Sequence, residues 1–72
     1  MISSVQDLCD ALARVTGLEV TVSSLIAELS MSSLELLHLV LSLRDPELVD
    51  AFPYFFEDLA TPATVWTAAH GS

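Results

Sequence analysis

The sequence predicts an all-α protein: a bundle of three main helices and one short helix, with a long first loop. Three observations predict this. Apolar residues recur at helical spacing in three separate stretches of a 72-residue chain. Each stretch opens on a good capping residue: serine twice, then threonine followed by proline. The only alternating segment, around Val20 and Val22, is too short for a sheet and has no partner strand. Neighbouring amphipathic helices must bury their stripes on each other, and a bundle results.

The first helix is read from Val5, Leu8, Leu12 and Val15, with Ala11 filling in; these positions share one helix face. Ser3 or Ser4 caps it, Asp7 in the first turn complements the helix dipole, and Gly17 suits the left-handed residue after its end. The segment from Leu18 to Leu29 reads as an extended loop, with one or two helical turns over Ser23 to Leu29. Leu18, Val20, Leu25 and Leu29 are expected to drop from it into the core.

The second main helix starts at Ser32 or Ser33. Ser32-Ser33-Leu34-Glu35 is a capping box in which Ser32 caps and Glu35 reaches back, with Met31 and Leu36 placed as a hydrophobic staple. The helix is expected to run to about Arg44, because Pro46 disfavours helical geometry at Asp45. Leu36, Leu39, Val40 and Leu43 form one arc, and Leu34, Leu37 and Leu41 form another. Glu35, His38 and Ser42 make a polar stripe between them. One arc faces the core, which leaves the other for a partner or a bound apolar group.

Asp45-Pro46-Glu47 opens a short turn, with Asp45 as cap and Pro46 in the first helical position. Phe52-Pro53-Tyr54-Phe55-Phe56 is a dense aromatic patch leading a short helix that ends near Leu59. Thr61 caps the last helix, Pro62 starts it, and Val65, Trp66 and Ala69 supply its apolar face.

Composition narrows the function. The chain is one domain, residues 1–72, and 53% hydrophobic, too apolar for disorder. Ten acids stand against two arginines and no lysine, for a net charge of −8. Nucleic acid and anionic membrane surfaces are therefore poor partners, and a basic patch on another protein is the natural complement. Cys9 is the sole cysteine, so no internal disulfide forms; an inert packed thiol in a reducing compartment is expected. No basic leader, and no run of about 20 apolar residues, marks a signal peptide or a membrane span. The expectation is a free-standing cytoplasmic monomer.

Catalytic and metal sets are missing from the pattern, so the chain does not read as an enzyme. His38 and His70 lie far apart, one cysteine and two distant histidines make no zinc site, and Asp45, Glu47 and Asp50 do not match a calcium loop. Gly17 and Gly71 form no phosphate-binding loop. His38 reads as a solvated member of the polar stripe, or more sharply as a pH-sensitive partner contact. The aromatic patch reads as core, or as the lining for an attached chain, and Trp66 reads as a core anchor. Asp45, Glu47, Asp50, Glu57 and Asp58 either solubilise the surface or steer a basic partner. Ser33 stands apart. Its hydroxyl opens a strongly apolar helix, at the positive end of the dipole where unpaired N–H groups favour a phosphate ester. That is a place for attachment rather than for catalysis.

The run Leu29-Ser30-Met31-Ser32-Ser33-Leu34-Glu35-Leu36-Leu37 resembles the phosphopantetheine attachment motif of acyl carrier proteins, roughly L-G-x-D-S-L before an apolar helix. Ser33 falls on the modified serine, Leu34 on the following leucine, Ser30 on the glycine and Ser32 on the aspartate. Ala27-Glu28-Leu29, Thr61-Pro62-Ala63-Thr64-Val65, the helix order and the long first loop extend the resemblance over most of the chain. It implies an acyl-carrier-like bundle. A phosphopantetheinyl transferase would move phosphopantetheine from coenzyme A onto Ser33, and the arm would carry an acyl or aminoacyl group as a thioester between enzymes. Partner contacts would fall on Ser32, Leu34, Glu35, Leu37, His38 and Leu41, against basic or apolar docking patches of acyl-loading and acyl-accepting enzymes. The lack of a glycine pair before the serine tilts the resemblance toward acyl rather than peptidyl carriers. The unusual motif favours a polyketide or other specialised-metabolite pathway over primary fatty-acid synthesis. Ser32 in place of aspartate caps equally well but brings no charge, and Ser30 in place of glycine alters the approach to the helix. The alternative reading is an unmodified carrier-like or helical adaptor module that only binds a partner.

Overall fold

The computed structural model describes residues 3–71. Among them the chain is all-helical: α1 (Val5–Thr16), a 3₁₀ turn η1 (Ile26–Leu29), α2 (Ser33–Ser42), α3 (Pro46–Asp50), a second 3₁₀ segment η2 (Phe52–Phe56) and α4 (Pro62–His70). Three main helices and one short one therefore form the expected bundle. α4 packs against α3, α1 and η2, and α1 packs against α2.

Local chemistry sets the ends of the elements. Ser4, not Ser3, caps α1: its Oγ accepts from the Asp7 N–H at 3.3 Å, while Ser3 donates to the Asp7 carboxylate. Gly17 turns the chain out of α1 at φ 72° and donates its N–H to Ala13. Asp45 caps α3 and Thr61 caps α4, each directly before a proline that needs no N–H partner.

The core is one cluster fed by every element. Leu8 and Leu12 come from α1, Leu36, Leu39 and Val40 from α2, Leu48 from α3, Phe55 from η2 and Val65 from α4, with Val20, Ile26 and Leu29 from the loop. Burying each such leucine or phenylalanine stabilises the fold by about 1.5–3 kcal/mol. Cys9 is fully buried among them.

Several expectations need correction. α2 stops at Ser42, two residues before Arg44. Asp45 must be extended before Pro46, so the chain leaves the helix early through tight bonds from the Leu43 N–H to Val40 and from the Arg44 N–H to Leu41. Arg44 takes the left-handed conformation at φ 56°. Leu18 is exposed rather than buried, because the turn at Gly17 carries it away from the helix face; Val20 and Ile26 fill that part of the core. Leu25 is only half-buried. Val15 is also exposed, at the edge of the α1 stripe. Of the one or two turns expected over Ser23 to Leu29, one forms, the 3₁₀ turn Ile26–Leu29, held where Ile26 donates to the Ala60 carbonyl at 2.9 Å and Ala63 donates to Val22 at 3.0 Å. The aromatic helix likewise ends at Phe56, short of Leu59, as a 3₁₀ segment in which Pro53 offers no donor.

Candidate functional site

The start of α2 is built from three consecutive backbone decisions. Ser30 is left-handed at φ 57°, and turns the chain sharply out of η1. Ser32 is extended and caps the helix. Ser33 is its first helical residue. The capping box is closed on both sides: Ser32 Oγ accepts from the Glu35 N–H at 3.2 Å, and a Glu35 carboxylate oxygen accepts from the Ser32 N–H at 2.9 Å. The bond from the Ser32 N–H, and after it the nearby Ser32 hydroxyl, holds the Glu35 carboxyl below its ordinary value.

With Ser32 and Glu35 occupied by each other, Ser33 is left over. It is exposed, and among the described residues its hydroxyl makes no hydrogen bond. The Ser33 and Leu34 N–H groups lie in the first turn, where the helix offers no acceptor. A phosphate ester on Ser33 would meet these donors and the positive end of the α2 dipole. The chemistry of this donor set fits the arm that the resemblance implies.

The expected partner residues lie together on α2. Leu34, His38 and Leu41 follow one another at helical spacing, Leu37 lies beside them, and the run covers about 10 Å of axis. Leu34 is 59% exposed and Leu41 53% exposed. Leu37 is half-buried, and Ser32, Glu35 and His38 are exposed. The opposite arc, Leu36, Leu39, Val40 and Leu43, is buried throughout. The two arcs thus divide as their spacing requires, one inward and one outward.

The aromatic patch is split. Phe55 is buried and Phe52 is half-buried, whereas Tyr54 and Phe56 are exposed. Phe56 meets Phe52 edge to face, with centroids 5.1 Å apart. Trp66 is half-buried at the rim of the core, and stacks on His70 rather than anchoring the centre.

Two features were not legible in the sequence. An open groove of about 380 Å³ lies between α1 and α2, lined by Ala11, Arg14, Val15, Leu39, Ser42 and Leu43. It sits toward the far end of α2 from Ser33. The second is a contact between His70 and two carboxylates, Asp45 and Glu47. Asp45 was readable as a cap, but nothing local connects it to a histidine 25 positions later. The two carboxylates address opposite nitrogens of one ring, and among the described residues no three such side chains converge to hold a metal ion. Among the described residues no helix is long and apolar enough to cross a membrane.

No known family model, curated protein or solved structure matches this chain.

Proposed function

We propose that the chain is an acyl carrier protein, with Ser33 as the attachment point for phosphopantetheine from coenzyme A. One observation carries this reading. The Ser33 hydroxyl is exposed at the first position of α2 and has no hydrogen-bond partner among the described residues, beside a capping box that occupies its neighbours. The arm, when bound, supplies a thiol that holds an acyl or aminoacyl group as a thioester. The chain's own contribution is positional. Ser33 and Leu34 offer N–H groups to the phosphate, and the outward stripe of Leu34, Leu37, His38 and Leu41 offers enzymes a small docking face. Weak, transient contact suits a shuttle, and the net charge of −8 steers it toward basic surfaces of the transferase and of acyl-loading and acyl-accepting enzymes. A polyketide, fatty-acid or related specialised-metabolite pathway in the cytoplasm is the corresponding setting, with the carrier itself performing no catalysis.

The replacement of the motif's aspartate by Ser32 favours one second reading: a carrier-like module that binds a partner without being modified. Mass spectrometry separates the two. The protein is incubated with coenzyme A, magnesium and a broad-specificity phosphopantetheinyl transferase. A gain of one phosphopantetheine that disappears in Ser33→Ala is expected. No gain, or a gain that survives the substitution, defeats the carrier assignment.

A further inference from the structure

His70 lies in the last turn of α4 and joins it to the first turn of α3. Its Nε2 is 2.9 Å from Asp45 Oδ2, and its Nδ1 is 3.0 Å from Glu47 Oε2. Asp45 is the buried charged residue of the described chain, and its other oxygen is already committed. Oδ1 accepts from the N–H groups of Glu47 at 3.0 Å and Leu48 at 3.3 Å. Glu47, by contrast, has a 60% exposed side chain. Trp66, one turn back on α4, stacks on the imidazole with centroids 4.1 Å apart. Asp45, the cap of α3, and Glu47, in its first turn, are the charged groups that face the ring. Among the described residues, none from α1 or η2, the other elements packed on α4, lies at ion-pair distance from it.

The valence of imidazole decides what this arrangement does. A neutral ring carries one N–H and one bare lone pair. With a carboxylate oxygen close to each nitrogen, a neutral ring must set its lone pair against one of them, which repels. Only the imidazolium presents a hydrogen to both. We infer that His70 is a proton-operated clamp fastening α4 to α3. Protonated, it holds both carboxylates; on losing a proton it releases Glu47 and keeps Asp45. The asymmetry follows from burial. Glu47 can swing into water, whereas Asp45 is held by two backbone donors and has no solvent to turn to. The neutral ring therefore keeps its hydrogen on Nε2. One proton on the ring thus decides whether the clamp closes on both carboxylates. Its reach extends beyond the pair. α3 leads into η2, and η2 packs on η1, the segment that delivers the chain to Ser33. The clamp thus ties α4 to the segment that runs on into η2, which packs on η1.

The test compares thermal unfolding of the wild type and Glu47→Gln between pH 5.5 and 8.5. Glu47 is exposed, so the variant folds, and every other titrating group is common to both proteins. The wild type is expected to lead by about 2–5 °C at pH 5.5, and the lead should vanish by pH 8.5. In a His70→Gln background the same substitution should have one effect at both pH values. Ring ¹⁵N NMR at pH 8.5 should place the hydrogen of His70 on Nε2. A lead that does not change with pH, a pH-dependent lead that persists without His70, or a neutral ring protonated on Nδ1 overturns the clamp.

Discussion

Phe55 and Phe56 are adjacent in sequence and identical in chemistry, yet the structure gives them opposite fates. Successive residues of a 3₁₀ segment point about 120° apart, so only one of the two can enter the core. Phe55 is 2% exposed and Phe56 is 49% exposed. Phe55→Ala leaves a ring-sized void beneath η2, at a cost of about 3–5 kcal/mol. At roughly 0.05–0.15 kcal/mol per residue, the whole 72-residue fold has roughly 4–11 kcal/mol to lose. One substitution therefore removes roughly a quarter or more of the stability, and Tm should fall by at least about 12 °C. Phe56→Ala removes the edge-to-face contact with Phe52 and some partial burial, about 1 kcal/mol, for a fall of about 4–8 °C. Thermal unfolding followed by far-ultraviolet circular dichroism measures both. Equal losses, or a larger loss at Phe56, would show that η2 seats in another register, and the assignment of Phe55 to the core would fail.

Other consequences follow from the α2 start and the core. Ser32→Ala opens the capping box and should cost about 0.5–2 kcal/mol, whereas Ser33→Ala, which breaks no hydrogen bond among the described residues, should leave Tm nearly unchanged; parallel melts decide it. Glu35 has a lowered folded-state value, so its stabilisation is complete above about pH 5 and is lost as acid takes the pH down through that value. The stability gap between wild type and Glu35→Gln should accordingly shrink from pH 7 to pH 3, and a constant gap would contradict the capping-box account. Ser30→Gly relieves a left-handed residue and should raise Tm by a few degrees, since such strain costs roughly 1–2 kcal/mol and the added chain entropy offsets part of the gain. Cys9 is fully buried; desolvation pushes its thiol up, and the charge of Asp10 adds to this. Iodoacetamide should therefore label it only on unfolding, as peptide mass mapping in native and denaturing buffer can establish.

What could be read from the sequence was local. The caps at Ser32, Asp45 and Thr61 involve residues two or three positions apart, and each is a side chain satisfying a nearby N–H. The inward and outward arcs of α2 follow from helical period alone. The exposed, unbonded Ser33 follows from both: a capping box consumes positions 32 and 35, and the residue between the cap and the first buried turn has nothing left to bind. Where expectation failed, a choice among near-equivalent residues had to be made in three dimensions. Leu18 and Ile26 are both aliphatic loop residues, and the direction of the chain after Gly17 decided which was buried. Phe55 and Phe56 were indistinguishable until η2 packed on η1 and α4. The end of α2 moved because Pro46 acts through Asp45, and the slack was taken up by Arg44 in a conformation that propensity does not favour.

The sequence by itself determined the helices, their caps and the candidate attachment serine, since hydrogen bonds a few residues apart and the repeat of a helix are properties of short segments. Only the tertiary structure decided that His70 meets Asp45 and Glu47, that Arg14 borders a groove, and which aromatic ring fills the core. Those contacts join residues far apart along the chain, and they exist only after packing has brought separate helices together.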